Sequence, residues 1–444
     1  MSMSRPIIGL MLALLVGAFA RPAAALPSYA RQTGQECAAC HNGFPELTPY
    51  GRLFKANGYV FPGATSSIPP VAAMVVNSFT HTQSPQVGGA APGYGDNDNF
   101  AFEFASLFYG GAISTDLGIG AFIQTTYNHL SKRFSWDNTD IRWAHSSIVA
   151  DREWVYGVSL NNNPSVTDLW NTTPAWRFPF QTSGLAPTAG TATLIEGGLA
   201  GSSLGASTYL FWDRLIYGEV GLYHTLSTRL SSTLGVDPTG SNSTSGPAFY
   251  WRLAVEPNWG RHSWEFGTFG LKASELPGRV SGFGTDDTTD IGLDTQYQFL
   301  AADYSFSLQA SHIFETLTLN STYGQGGSDK LHNSVASSHV KASVSYDQTY
   351  ALTLGYFRVI GSADSGLYSG ISANNSPNSA GITAEFDYTP FNHGGPGFWP
   401  WANIRFGLQY TGYLKFDGAS QNYDGNGTNA SANNTLYLFS WLAF

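Results

Sequence analysis

Charge is what this sequence has least of. Of 444 residues, 21 are basic and 31 acidic, about half the roughly 25 % charged share of soluble globular domains. Long apolar runs are missing too. The longest, from Ile7 to Ala20, falls short of the roughly 18 residues that a membrane-crossing helix needs, so a helical membrane protein is excluded. Basic residues are outnumbered, with a formal net charge of −10. That excludes the basic face on which phosphate backbones dock, so no nucleic acid is expected as a partner and positive ions are. Cysteine is nearly absent, at two residues. Glycine, at 50 residues, and aromatics, at 14 %, are abundant, which suits strands, tight turns and interfacial rings rather than helices.

The first 25 residues read as a signal peptide: Arg5, the apolar run, then Ala23-Ala24-Ala25 as the cleavage site. Losing Arg5 and Arg21 with it leaves 19 basic and 31 acidic side chains, a net charge of −12. The spacing divides the remainder into a small segment at 26–69 and a long strand-rich part at 70–444.

Cys37 and Cys40 belong to Cys37-Ala38-Ala39-Cys40-His41, the C-x-x-C-H pattern of c-type haem attachment. Two intervening residues put both thiols on one helical turn, within reach of two vinyl groups, and the next residue is a histidine that ligates iron. Half a zinc site and a thioredoxin-like redox pair are the rival readings. The first lacks a second ligand pair and the second lacks a βαβ context. Downstream, Thr48 as N-cap, Pro49 in the first turn and Asn57-Gly58 as a stop predict a helix over 49–56. Arg52 and Lys55 on that helix are candidates to pair with haem propionates, or else a solvated basic face. The distal ligand stays open between Met74, His81 and a vacant or water-bound position. Met74 is the one methionine after the leader, and it lies in an alternating apolar stretch where lipid contact or packing is the plainer role. About 44 residues are too few to bury a haem alone, so the segment needs a neighbour.

From about residue 70 onward, segments of roughly ten alternating residues are separated by Gly, Asn, Asp, Ser, Thr and Pro, the signature of a transmembrane β-barrel. Phe100, Phe102, Phe104 and Phe108 fall on one face of such a segment, with Ala101, Glu103 and Ala105 on the other. Glu103, Gln124, Asp140 and Arg142 fall on the lumen side by the same alternation. Long connections near 83–98, 129–138, 162–190, 227–246, 274–288, 318–334, 361–379 and 415–434 alternate with short ones at 115, 150, 202, 258, 301 and 347. Segment 191–201 reads as one strand. The seventh intervening connection, 390–401, is longer but holds Pro390, Gly394, Gly395 and Pro396. Residues 206–226, two strand-like pieces joined at Asp213-Arg214, fit the alternation if they form one bent crossing or a crossing plus an extra hairpin arm, and one crossing is the expectation. The count is then about 16 antiparallel strands, an all-β barrel preceded by a small α-helical haem segment. Asp96, Asp98, Asp286, Asp287 and Asp290 fall in or near outer loops, as solvated acids or as oxygen ligands for a divalent cation. A soluble β-sandwich or propeller is opposed by the leader, the low charge and the terminal Phe444.

A family resemblance enters here. Arg31-Gln32-Thr33-Gly34, the haem motif, Phe44-Pro45, Leu47, Gly51-Arg52, Phe54-Lys55 and Gly58-Tyr59 resemble the N-terminal module of outer-membrane monohaem cytochrome-porin fusions, best known as iron oxidases. The barrel part is similar through Gly120 to Gln124, Asp137 to Arg142, Asn162-Asn163-Pro164 and Trp170 to Trp176, so the resemblance spans most of the chain and is strongest over 30–180. It implies one covalent haem c and a place in the Gram-negative outer membrane, in contact with its lipid. It also implies electrons taken from extracellular Fe(II), or another outside donor, and passed to a periplasmic carrier. The competing reading is a porin-like solute channel with a tethered cytochrome c. Export of electrons is a third, since direction depends on the haem potential.

Overall fold

The computed structural model describes residues 27–43, 45–60, 69–237, 242–395 and 399–444; the signal peptide read from residues 1–25 lies outside them. Its frame is one closed antiparallel sheet of eighteen strand segments, with the first strand paired to both the second and the last. Two short pieces, Asn242–Thr244 and Asn258–Trp259, continue one crossing, leaving sixteen crossings. These are β1 (Val71–Thr82), β2 (Asn99–Ser114), β3 (Ile119–Asn128), β4 (Arg133–Val149), β5 (Arg152–Asn161), β6 (Ser203–Trp212), β7 (Ile216–Thr225) and β8 (Ala248–Val255). Then follow β9 (His262–Pro277), β10 (Asp286–Leu300), β11 (Tyr304–Leu319), β12 (His332–Tyr346), β13 (Tyr350–Gly361), β14 (Ser379–Tyr388), β15 (Asn403–Lys415) and β16 (Thr435–Ala443).

The burial pattern is inverted relative to a soluble protein. Along β10, Asp286, Thr288, Asp290, Asp294, Gln296 and Gln298 are buried, while Ile291 and Leu293 are exposed. Outward-facing Leu107, Leu222, Leu253, Leu352, Leu354 and Leu408 repeat the pattern around the ring. Apolar side chains outside and polar ones inside are what a barrel wall in hydrocarbon requires. Near the short-turn end, Tyr304, Tyr346 and Tyr350 stand exposed, and Tyr350 stacks on Tyr388 at 5.2 Å, in the manner of an interfacial aromatic girdle.

The strand count matches the sequence expectation, but two of its parts do not. Residues 191–201 are no strand: Thr193 and Glu196 form a capping box on a 3₁₀ turn, Leu194–Glu196, that lies inside the barrel. Residues 206–226 are two full crossings, β6 and β7, paired from Ser203↔Thr225 to Trp212↔Ile216. Their turn places Asp213 and Arg214 both at φ 52°, and the turns at Ala150-Asp151 and Asp347-Gln348 have the same positive-φ pairs. Such primed turns match the twist of a two-residue hairpin. The face assignment along β2 also changes. A bulge opposite Val76 and Asn77 shifts the register, so Phe100 and Phe102 face outward while Phe108 is buried inside.

The lumen is filled with chain. Residues 27–60 form α1 (Pro27–Thr33), α2 (Cys37–Cys40) and α3 (Pro49–Ala56), the last with the predicted bounds and with Thr48 capping Gly51 N. Wall glycines make the room: a Cβ at Gly120 would sit 2.1 Å from the Gly58 carbonyl oxygen, and one at Gly111 2.7 Å from Pro70 Cβ. Above this plug, on the long-loop side, the inner loop at 162–202 folds inward, with Val166, Leu169, Trp170 and Ile195 buried. Gly120→Ala should therefore push the plug off the wall at a cost of about 1–3 kcal/mol. Trypsin is expected to cut at Arg31, Arg52 or Lys55 in the variant, with the barrel band unchanged on a heat-modifiability gel; equal resistance in both proteins would refute the close approach.

Candidate functional site: a cavity walled by the C-x-x-C-H segment

Helix α2 places Cys37 and Cys40 one turn apart, and no disulfide joins them. The segment is tied to α3 on three sides. Thr48 N donates to the Cys40 carbonyl at 2.9 Å, Thr48 Oγ1 donates to the Ala39 carbonyl at 2.7 Å, and His41 pairs with Leu47 in a β-bridge. Gly51 lies so close that a Cβ there would meet the Cys40 oxygen at 2.3 Å. Glycine at this position is therefore what lets α3 pack against α2.

His41 Nδ1 donates to the Pro45 carbonyl at 3.0 Å, which fixes the orientation of its ring. Burial pushes the imidazole down to about 4, so it is neutral at physiological pH. Burial also pushes the Cys40 thiol up to about 11.

Beside these residues lies a cavity of about 470 Å³, walled by Cys37, Cys40, His41 and Met74 with the rings of Phe54, Phe104, Phe108, Phe122, Trp176 and Phe180. Cofactor sites typically have this size, roughly 300–1,000 Å³, and this apolar lining. The two thiols, the neutral histidine and the ring-lined space fit a haem c. Among the described residues, no group of three His, Cys, Asp or Glu side chains is placed to hold a metal ion by itself.

The other sequence candidates fall out unevenly. Met74 does not face lipid; it is 5 % exposed on the inner face of β1 and lines this cavity with Lys55 and Gln124. His81 points the other way, exposed and bonded to Asp98 at 2.7 Å. It lies seven residues up β1, roughly 23 Å from Met74, which removes it as a ligand. Arg52 turns away from the cavity: its Nη2 donates to Glu256 and Ser263 at 2.8 and 2.7 Å, and its Nη1 to Gln296 and Gln298. Lys55 Nζ donates to the carbonyls of Val166 and Asp168 at 2.8 and 2.6 Å, over the Trp176 ring. Asp140 and Arg142 face the lumen and hold the plug. Tyr59 Oη donates to Asp140 at 2.6 Å, and Arg142 reaches the Lys55 and Thr167 carbonyls. Asp286 and Asp290 are buried rather than solvated. Asp286 accepts from Ser321 N and Thr322 N, and Asp290 from Ile195 N.

Sequence reading missed Glu46 and Arg177. Glu46 is 1 % exposed and accepts from Gln298, Ser307 and Lys341, pinning the loop that follows His41. A lone acid in a short loop carries no sequence signal for this. Arg177 follows the aromatic Trp170–Trp176 stretch and lines the cavity.

No family model matches the chain, and no curated protein does. Among solved structures, an anion-selective porin from Comamonas acidovorans is similar at 11 % identity, covering 84 % of this chain and 98 % of that one, with a TM-score of 0.45. The outer membrane channel DcaP of Acinetobacter baumannii matches at 11 % identity over 84 % and 96 %, TM-score 0.43. OmpT of Vibrio cholerae matches at 10 % over 84 % and 96 %, TM-score 0.41.

Two substitutions test how the segment is anchored. Gly51→Ala should force α3 off the C-x-x-C-H segment and speed amide exchange across residues 37–43; unchanged exchange would refute the close approach. Arg52→Met strands Glu256 inside the lumen, which typically costs about 3–5 kcal/mol; faster amide exchange across 49–56 is the expected result, and unchanged exchange would contradict the anchoring role.

Proposed function

We propose that this protein is an electron-transfer protein of the Gram-negative outer membrane, with one haem c attached at Cys37 and Cys40 and held inside the barrel. The observation that carries the reading is the ring-lined cavity beside both thiols and His41, within the lumen. When bound, a haem supplies reversible one-electron Fe(III)/Fe(II) chemistry.

The chain's own residues do the rest. His41 and Met74, which line the same cavity, are the residues that would hold the iron of a haem bound there. Phe54, Phe104, Phe108, Phe122 and Trp176 exclude water from the cavity. The plug and the inner loop occupy the lumen, which supports a reading in which an electron crosses rather than a solute. The donor loses one electron on the long-loop side, and a periplasmic carrier takes it on the short-turn side, where Gln35 and Glu36 are exposed. Fe(II), or another extracellular reductant, is proposed as that donor from the family resemblance alone.

A porin-like solute channel is the second reading. Sixteen strands around a polar lumen are the frame of a diffusion pore, and a second cavity of about 170 Å³ lies between the inner loop and the wall strands. In this reading residues 27–43 and 45–60, which lie inside the barrel, would narrow the channel.

Two measurements separate the readings. Stopped-flow mixing of the oxidised protein with Fe(II) should give a single-exponential Soret change in wild type, and Met74→Leu should have a lower midpoint potential. No reduction on the timescale of seconds would sink the iron-donor proposal. Proteoliposomes are expected not to swell in small sugars; free swelling would favour the channel.

A further inference from the structure

One cation in the cavity wall is left incompletely satisfied by the chain. Arg177 follows the 3₁₀ turn Pro174–Trp176 of the inner loop and lines both cavities, with Asn171 and Pro179 beside it. Its Nη2 donates to Glu196 Oε1 at 2.5 Å. Glu196 is in turn fixed by Thr193 N at 2.9 Å and Ser337 Oγ at 2.8 Å, and His339 Nε2 lies 3.6 Å from it. Nη1 is buried and has no hydrogen-bond partner among the described residues.

Buried polar groups are rarely left without a partner, and a guanidinium presents its donors as a rigid fork suited to carboxylates. The nearby cations are already engaged: Lys55 by two carbonyls, Arg52 by the wall, Lys341 by Glu46. Arg177 alone combines a place on the haem-side cavity with a donor that the described chain does not fill.

We infer that the Arg177 guanidinium binds a carboxylate held in the cavity beside Cys37, Cys40 and His41, and that this carboxylate is a propionate of the haem. The inference rests on the haem reading above. Arg177 is thus a positioning residue. Its charge keeps the propionate ionised and favours the less positive, reduced state of the iron, and Glu196 holds the guanidinium in place.

The test is redox potentiometry on the full-length protein with haem attached, across the range of carboxylic-acid titration, about pH 4–6. Arg177→Gln should lower the midpoint potential and make it vary with pH as the unpaired propionate titrates. Arg177→Lys, which keeps the charge, should restore most of both, and Glu196→Gln should not lower the potential as Arg177→Gln does. Haem attached in Arg177→Gln with the wild-type potential and pH profile would overturn the inference alone. Absence of covalent haem from wild type would overturn the haem reading and this inference with it. A wild-type potential that moves with added acetate, and stops moving in Arg177→Gln, would give the guanidinium to a free carboxylate and overturn the propionate assignment.

Discussion

A ring of sixteen strands is too wide to be filled by its own side chains, and everything placed inside it must satisfy a polar wall. That constraint governs the rest of the structure. The wall offers Asp140, Arg142, Arg252, Glu265, Asp294, Gln296 and Gln298 at or near full burial. Buried charges left unpaired are costly, so the wall and its contents are mutually determined. Arg52 meets Glu256, Arg142 meets Asp140 and two plug or loop carbonyls, and Arg252 meets Asp168, Glu265 and Asp294. The plug is docked through hydrogen bonds and ion pairs together with apolar contacts of Phe54, Ala56 and Tyr59 to the wall, and the directional bonds give it one orientation.

That orientation sets the C-x-x-C-H segment beside a ring-lined cavity. The segment walls only part of it, and the barrel supplies the rest: Phe108 from β2, Phe122 from β3 and Met74 from β1, with Trp176 and Phe180 from the inner loop. The β2 bulge matters here, because without its register shift Phe108 would face outward with Phe100. Bulges re-aim side chains at functional sites in this way. Glycines at 51, 111 and 120 then set how closely plug and wall approach.

How much of this was legible in the sequence follows from the range of each signal. Helix α3 was readable to the residue, because Thr48, Pro49 and Asn57-Gly58 act locally. The strand total was readable from connection lengths, yet two errors cancelled within it. Residues 191–201 alternate like a strand although their Thr193/Glu196 capping box pointed to a turn, and counting them as a strand left room for only one crossing where β6 and β7 make two. The inward side of Met74 and the wall contacts of Arg52 depend on partners about 30 to 250 residues away, which no local pattern encodes. Asp286 and Asp290 looked like loop acids because their partners, Ser321 and Ile195, are equally remote.

The central claim, a haem c covalently held inside the barrel, is tested most directly by mass spectrometry of the peptide containing Cys37–Cys40, cut from the folded, membrane-extracted protein after partial unfolding. One haem joined through two thioethers, on a peptide that resists cleavage until the plug is released, is the predicted result. A peptide with two unmodified thiols or a disulfide, from protein matured alongside a working haem-attachment system, would contradict it.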